Sequence, residues 1–289
     1  VVALLGEKAA IFCLRGNGRR SINIGMKIPQ ALKPSAVLIL SAALALCHVP
    51  DLAAQGAGTV ATQTNEATAV PHTNTAIVPR LARGFLPRHT NFVEIAKQGD
   101  IDILFMGDSI TDWWRQGGTN GGKAVFEKNW GGMKVANFGI AGDTTQGVLW
   151  RLQNGEGQGY SPKAIMLMIG TNNLRNNSPP EIAEGVAAVV AEFRKDFPSA
   201  KILLLAIFPR ADPGSNMGSI TEINATIAKL HDGTHVFYQD INKGFLDADG
   251  NFLPGAFRGD KLHPAEKGYE IWADAVKEPL AKLSGIPAK

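Results

Sequence analysis

Cysteine is nearly missing from this chain of 289 residues: there are two, Cys13 and Cys47, and both fall within the first 54 positions. Everything beyond them lacks a thiol for a disulfide, a thiolate metal ligand or a cysteine nucleophile, so its stability has to come from packing. Histidine is sparse as well. Those beyond residue 54 are His72, His89, His231, His235 and His263. No two have the spacing of a zinc-binding helix, so neither a metal nor another cofactor is expected.

There is also little charge of one sign. The formal net charge is +3, but six of the 29 basic and two of the 26 acidic residues lie in positions 1–54, leaving 23 basic against 24 acidic. That remainder has no electrostatic footprint for nucleic acid. No apolar run reaches the roughly 20 residues needed to span a bilayer, so no transmembrane segment is expected. At 45% hydrophobic and 19% charged, the composition is that of a globular protein with length for one sizeable core.

What is present starts with a leader. From Met26, Lys27 and Lys33 precede an apolar stretch from Ala36 to Leu46 and then small residues around Ala53 and Ala54. Basic, apolar and small-residue regions in that order read as a secretory signal, which predicts an exported protein, periplasmic or extracellular. "LALC" ends at Cys47 like a lipoprotein cleavage box, but Leu46 is bulky where a small residue is wanted, so lipid anchoring is not expected. Arg19 and Arg20 ahead of Met26 fit either a poor twin-arginine signal or a start placed too early. Residues 1–54 are thus read as leader. Residues 55–79, rich in Thr and Ala with no Lys or Arg, are read as a disordered linker, and 80–289 as the folded domain.

Within 80–289 short apolar runs alternate with helical patterns. The runs are Ile101–Met106, Lys134–Phe138, Ala164–Ile169, Lys201–Ile207 and His235–Asp240. Most are continuously apolar, as strands buried on both faces are. Ile182, Val186, Val189, Val190, Phe193 and Phe197 recur at helical spacing behind Pro179 and Pro180, and Tyr269, Trp272, Ala273 and Val276 do so behind Pro264. Strand–helix alternation predicts a three-layer α/β/α sandwich around a five-stranded parallel sheet of flavodoxin-like type. Ligands of such folds sit beyond the carboxyl ends of the strands. There the sequence places Gly107-Asp108-Ser109, then "GIAGDTT", then "GTNN", and finally a loop ending "GDKLH".

Those loops hold the parts of an acyl-transfer site. A serine hydroxyl needs a base to take its proton, and the base needs a third group to hold its tautomer. Ser109, His263 and Asp260 supply the three types, the last two only three residues apart. The charge that develops on an attacked carbonyl calls for fixed donors. Candidates are the backbone N–H of Ser109, that of Gly142, and the side-chain amide of Asn172. Asp108 and Asp143 are read as turn-stabilising carboxylates, and Asn173 as a brace for its loop. Of the adjacent Trp113 and Trp114, at least one belongs in the core, and either is a candidate for the pocket wall. Leu262, beside the base, is a candidate for limiting the acyl group.

In this order and at these loops the residues resemble the blocks of the SGNH or GDSL hydrolases, over about residues 88–283. "NFGIAGDTTQGVLWRLQNGE", "IGTNN" and "FPR" look most like the catalytic subunits of intracellular platelet-activating-factor acetylhydrolase and bacterial relatives. The resemblance implies Ser109 as nucleophile, Asp260 and His263 as its triad partners, and Ser109, Gly142 and Asn172 as oxyanion hole. Ile110 stands where the name motif has leucine, and Asn173 where many members carry aspartate.

The expected function is a serine esterase acting on small acyl esters, with a small-molecule ester as its partner; nothing in the sequence sets an oligomeric state. Acyl transfer, thioester or lysophospholipid hydrolysis on the same residues are alternatives, as is a catalytically silent binding module. A nucleotide site is excluded by the first turn, which has neither dinucleotide nor phosphate-loop glycines. A lipase-type elbow is excluded by Thr111, where that turn needs glycine. For the leader, sequencing the N-terminus of the protein secreted by its host should find the chain starting near residue 54; material still beginning near Val1 outside the cytoplasm would refute the export reading.

Overall fold

The computed structural model of the chain describes residues 72–289; the leader, both cysteines and linker residues 55–71 lie outside the described residues. Five strands form one parallel sheet: β1 (Ile103–Gly107), β2 (Val135–Asn137), β3 (Ala164–Met168), β4 (Lys201–Leu205) and β5 (Val236–Gln239). Their spatial order is β2-β1-β3-β4-β5. The helices are α1 (Leu86–Lys97), α2 (Ser109–Asp112), α3 (Lys123–Trp130), α4 (Thr145–Arg151), α5 (Pro179–Asp196), α6 (Met217–Ile227) and α7 (Glu266–Ser284). The architecture is the α/β sandwich expected.

The two apolar layers follow from the two-residue period of a strand. Leu104 and Met106 of β1, Ile165 and Leu167 of β3 and Ile202 and Leu204 of β4 pack with residues of α1, α4, α5 and α6. Ile103, Phe105, Met166, Met168, Leu203 and Leu205 face the other way, toward α3 and α7. Both sides of the central strands are thereby dry, which is why these runs show no polar alternation.

Two helices illustrate how local chemistry sets their limits. The start of α5 combines Pro179 in the first turn with a Glu181 carboxylate that accepts the Ser178 N–H at 2.8 Å. The closing helix α7 begins at Glu266, two residues past Pro264, and continues beyond the expected face through Pro279 to Ser284. Proline has no N–H for the carbonyl four residues back. That carbonyl, on Ala275, instead accepts the Gln239 side-chain amide of β5 at 2.9 Å. The helix ends at Gly285 in the left-handed conformation.

Residues 72–79, assigned by composition to the linker, are tied to the domain at a few points, with most of their side chains exposed. Thr75–Ile77 form a 3-10 turn capped by the Asn74 side chain, and Ala76 is fully buried. The Thr145 hydroxyl donates to the Ala76 carbonyl at 2.8 Å, and the Asn74 amide donates to Glu184 at 2.8 Å. Single polar contacts to α4 and α5 hold this segment, and such contacts leave no periodic signal in the sequence.

On the α7 side the core is aromatic. Trp114 has no exposure and lies 4.9 Å from Trp272, 4.5 Å from Tyr269 and 5.3 Å from Trp130, ring to ring. Trp114→Ala is expected to lower the unfolding free energy by about 3–5 kcal/mol in denaturant titration. A loss below about 1 kcal/mol would contradict this packing.

Candidate active site

The strand order changes direction between β1 and β3, and in sheets of this order the crevice for ligands opens at that point, beyond the carboxyl ends. β1 empties into Asp108, which caps α2: its Oδ1 accepts the Ile110 N–H at 3.0 Å. Ser109 is therefore the first residue of a four-residue helix whose start faces the crevice. Asp108 is fully buried, and its Oδ2 has no hydrogen-bond partner among the described residues. Burial, partly opposed by the Ile110 N–H, pushes its carboxyl up to about 7.

The Ser109 hydroxyl lies 2.9 Å from Nε2 of His263, and Nδ1 of the same ring lies 2.8 Å from Oδ2 of Asp260. The other Asp260 oxygen accepts the backbone N–H groups of Leu262 and His263, each at 3.0 Å. A carboxylate bound in this way fixes the Nδ1–H tautomer and leaves Nε2 as an acceptor for the serine proton. The turn between the two residues is tight: Lys261 has φ 53°, and its carbonyl is held by the Ala211 N–H at 2.9 Å.

The amide donors arrive on the neighbouring loops. Gly142 has φ 86°, a left-handed value that favours glycine, in a turn closed by the Asp143 N–H on the Ile140 carbonyl at 3.1 Å. Gly142 is exposed, and its own N–H bonds no described residue. The Asn172 side chain donates one amide hydrogen to the Asp143 carbonyl at 2.8 Å and keeps the other.

Each loop of the rim is tied to the next. Asp112, on the serine helix, accepts the Ala141 N–H at 3.0 Å; Asp143 takes the Asn172 amide; Thr171 takes Arg210 Nη1 on its carbonyl and hydroxyl, both at 3.0 Å; and Ala211 reaches Lys261.

The model of the GDSL-like lipase/acylhydrolase family matches residues 105–271. The chain belongs to this family. It is similar to the platelet-activating factor acetylhydrolase IB subunit alpha2 of Homo sapiens, 32% identical over 223 residues, covering 73% of this chain and 92% of that protein. The Rattus norvegicus subunit alpha2 is 33% identical over 188 residues, covering 61% and 78%. Among solved structures, a GDSL-like lipase from Bacteroides thetaiotaomicron superposes with a TM-score of 0.55 at 19% identity, covering 69% of this chain and 98% of that one. That likeness shows the fold. As a member of the family, this chain is an acyl-ester hydrolase.

In this GDSL hydrolase the remaining candidate residues fall into distinct places. Ile110 is buried in the aromatic core, and Leu262 is half-buried against the same layer. Asn173 is buried and accepts the Thr145 N–H at 3.0 Å while donating to Gln146 at 2.9 Å. The two tryptophans divide: Trp114 is core, and Trp113 is half-exposed with its ring 4.0 Å from the His263 ring. Among the described residues no group of three or more His, Cys, Asp or Glu stands together as a metal site, and no helix is long and apolar enough to cross a membrane.

Four residues of the site were not singled out by sequence reasoning. Asp112 and Arg210 tie the rim. Arg151 binds Asp143 in the interior. Arg258 lies 3.8 Å over the Trp113 ring. A signal existed for Arg151: it follows Val148 and Leu149 and precedes Leu152 on an otherwise apolar stretch, where a charge has to be paired.

Burial lowers the His263 pKa from 6.5; Asp260 raises it, and Arg258 and Arg210 lower it further. The neutral imidazole, able to accept a proton, therefore persists to lower pH than in a free histidine. NMR titration of His263 is expected to give a midpoint below 6.5, and Arg258→Gln should move it upward. A midpoint above 6.5 in the unsubstituted protein would contradict the balance described.

Proposed function

We propose that this hydrolase cleaves small, acetyl-like acyl esters through an acyl-enzyme on Ser109. The observation that carries the reading is the continuous contact from the Ser109 hydroxyl to Nε2 of His263 at 2.9 Å and from Nδ1 to Asp260 at 2.8 Å. In the proposed cycle Ser109 Oγ attacks the ester carbonyl while His263 takes its proton. The carbonyl oxygen becomes an anion, stabilised by the N–H groups of Ser109, Gly142 and Asn172. Collapse breaks the ester bond, and the leaving alcohol takes the proton from His263. Water then attacks the acyl-enzyme, again giving up its proton to His263, and the acid departs as Ser109 regains its hydrogen. Asp260 keeps its charge throughout and stabilises the imidazolium.

Exposure at the site favours water as the acceptor. Gly142 is exposed and the His263 side chain keeps 14% exposure, so water reaches both an amide donor and the base, which supports hydrolysis over transfer to another alcohol. The names of the similar subunits, acetylhydrolases, support an acetyl group; the alcohol is read as carbohydrate or lipid-like.

The test is hydrolysis of p-nitrophenyl esters of rising chain length, followed by acetylated sugars and acetylated lipids. Turnover should be highest for acetate, absent in a folded Ser109→Ala variant, and reduced about 100-fold in kcat in Asn172→Ala. Near-normal rates in the serine variant would overturn the mechanism, and a preference for long chains would overturn the acyl assignment.

A further inference from the structure

Beneath the loop that carries Gly142 lies a group of charges with almost no solvent contact: Arg151 and Glu156 are 0% exposed and Asp143 1%. Arg151, the last residue of α4, donates Nε to Asp143 Oδ2 at 3.0 Å, and its Nη2 lies 2.8 Å from the same oxygen. Nη1 donates to the Phe138 carbonyl at 3.1 Å and to the Glu156 carboxylate. The other Glu156 oxygen lies 2.8 Å from Nδ1 of His89 on α1. The second Asp143 oxygen accepts the Thr144 N–H at 2.8 Å. It also lies against the backbone of residue 147, where a Cβ would strike it and where the chain has glycine.

Stability alone is a weak account of such a group, because buried ion pairs often contribute no more than well-packed apolar residues of the same volume. The position of Asp143 is more telling. Its N–H closes the turn that holds Gly142, and its carbonyl receives the Asn172 amide. One residue therefore touches both donors that would join the Ser109 N–H around an oxyanion, and its side chain is fixed from within by a guanidinium. Those donors stand on loops, where backbone is otherwise free to drift, and donors of this kind act only if their direction is fixed before the charge appears.

We infer that Arg151 is a positioning residue which, through Asp143, holds the Gly142 amide and the Asn172 side chain in register with each other. The inference rests on the oxyanion role proposed above. Arg151→Lys keeps the charge but not the forked contact, and Asp143→Asn keeps the Thr144 acceptor but not the charge. Glu156→Gln is the mildest change, keeping the shape at a site that reaches Asp143 only through Arg151.

Each variant is assayed well below its own Tm with p-nitrophenyl acetate. The first two should lose about tenfold or more in kcat with KM within about twofold, and the double variant should lose little more than the worse single one. Binding of a boronic acid that adds to Ser109 should weaken in parallel, while the His263 titration stays in place. Folded variants with unchanged kcat, losses that multiply in the double variant, or a fall in kcat accompanied by a shifted His263 midpoint would overturn the inference. So would a set in which Arg151→Lys and Asp143→Asn both fail to fold and Glu156→Gln folds with full kcat. Failure of the parent reading looks different: the unsubstituted protein would then show no Ser109-dependent turnover.

Discussion

The contact between Ser109 and His263 closes 154 residues of chain. Bringing two such points together in a flexible polymer costs about 4 kcal/mol in loop entropy before any constant is added, whereas one hydrogen bond returns about 1 kcal/mol net. The contact cannot hold the fold; the fold has to hold the contact. Parallel pairing does so by discharging every strand at the same edge of the sheet, so β1 delivers the serine while the segment after β5 delivers the histidine. Tyr269 adds a direct fastening, its hydroxyl donating to the Ile110 carbonyl at 2.8 Å and pinning α7 to the serine helix.

That edge is irregular in conformation but not loose. Asp112, Asp143, Thr171, Arg210, Ala211 and Lys261 form a succession in which each loop gives or receives a hydrogen bond from the next. The rim thus borrows rigidity from the sheet beneath it. A catalytic serine hydrolase needs this combination, since its groups come from different segments yet have to keep fixed distances.

Much of this was legible in the chain because two kinds of signal are local. Apolar runs such as "ILFM" and "AIMLMI" announce buried strands, and the polar turns after them mark the site edge. Asp260 and His263 declare their partnership by a spacing of three. Arg151, Asp112 and Arg210 were not legible because each takes its meaning from a residue brought close only by folding. The segment around Ala76 escaped for a related reason: it is held by Thr145 and Asn74 one bond at a time, with no period to detect. The passage of α7 through Pro279 was not legible for the same reason, since the Ala275 carbonyl that the proline leaves free is taken by Gln239 on a different element.

The outer margin of the sheet shows a further economy. β2 is only three residues long, and Lys134 and Phe138 on either side of it turn their hydrogen-bonding groups toward β1, which leaves those of Asn137 pointing outward. The Asn137 carbonyl is taken by the Arg115 guanidinium, which also binds Asp112 and the Gly139 carbonyl. A strand so short, with the Asn137 acceptor occupied by a cation, offers little length for lateral growth of the sheet by another polypeptide. The same arginine that binds Asp112 of the serine helix thus also occupies an acceptor at the margin of the sheet.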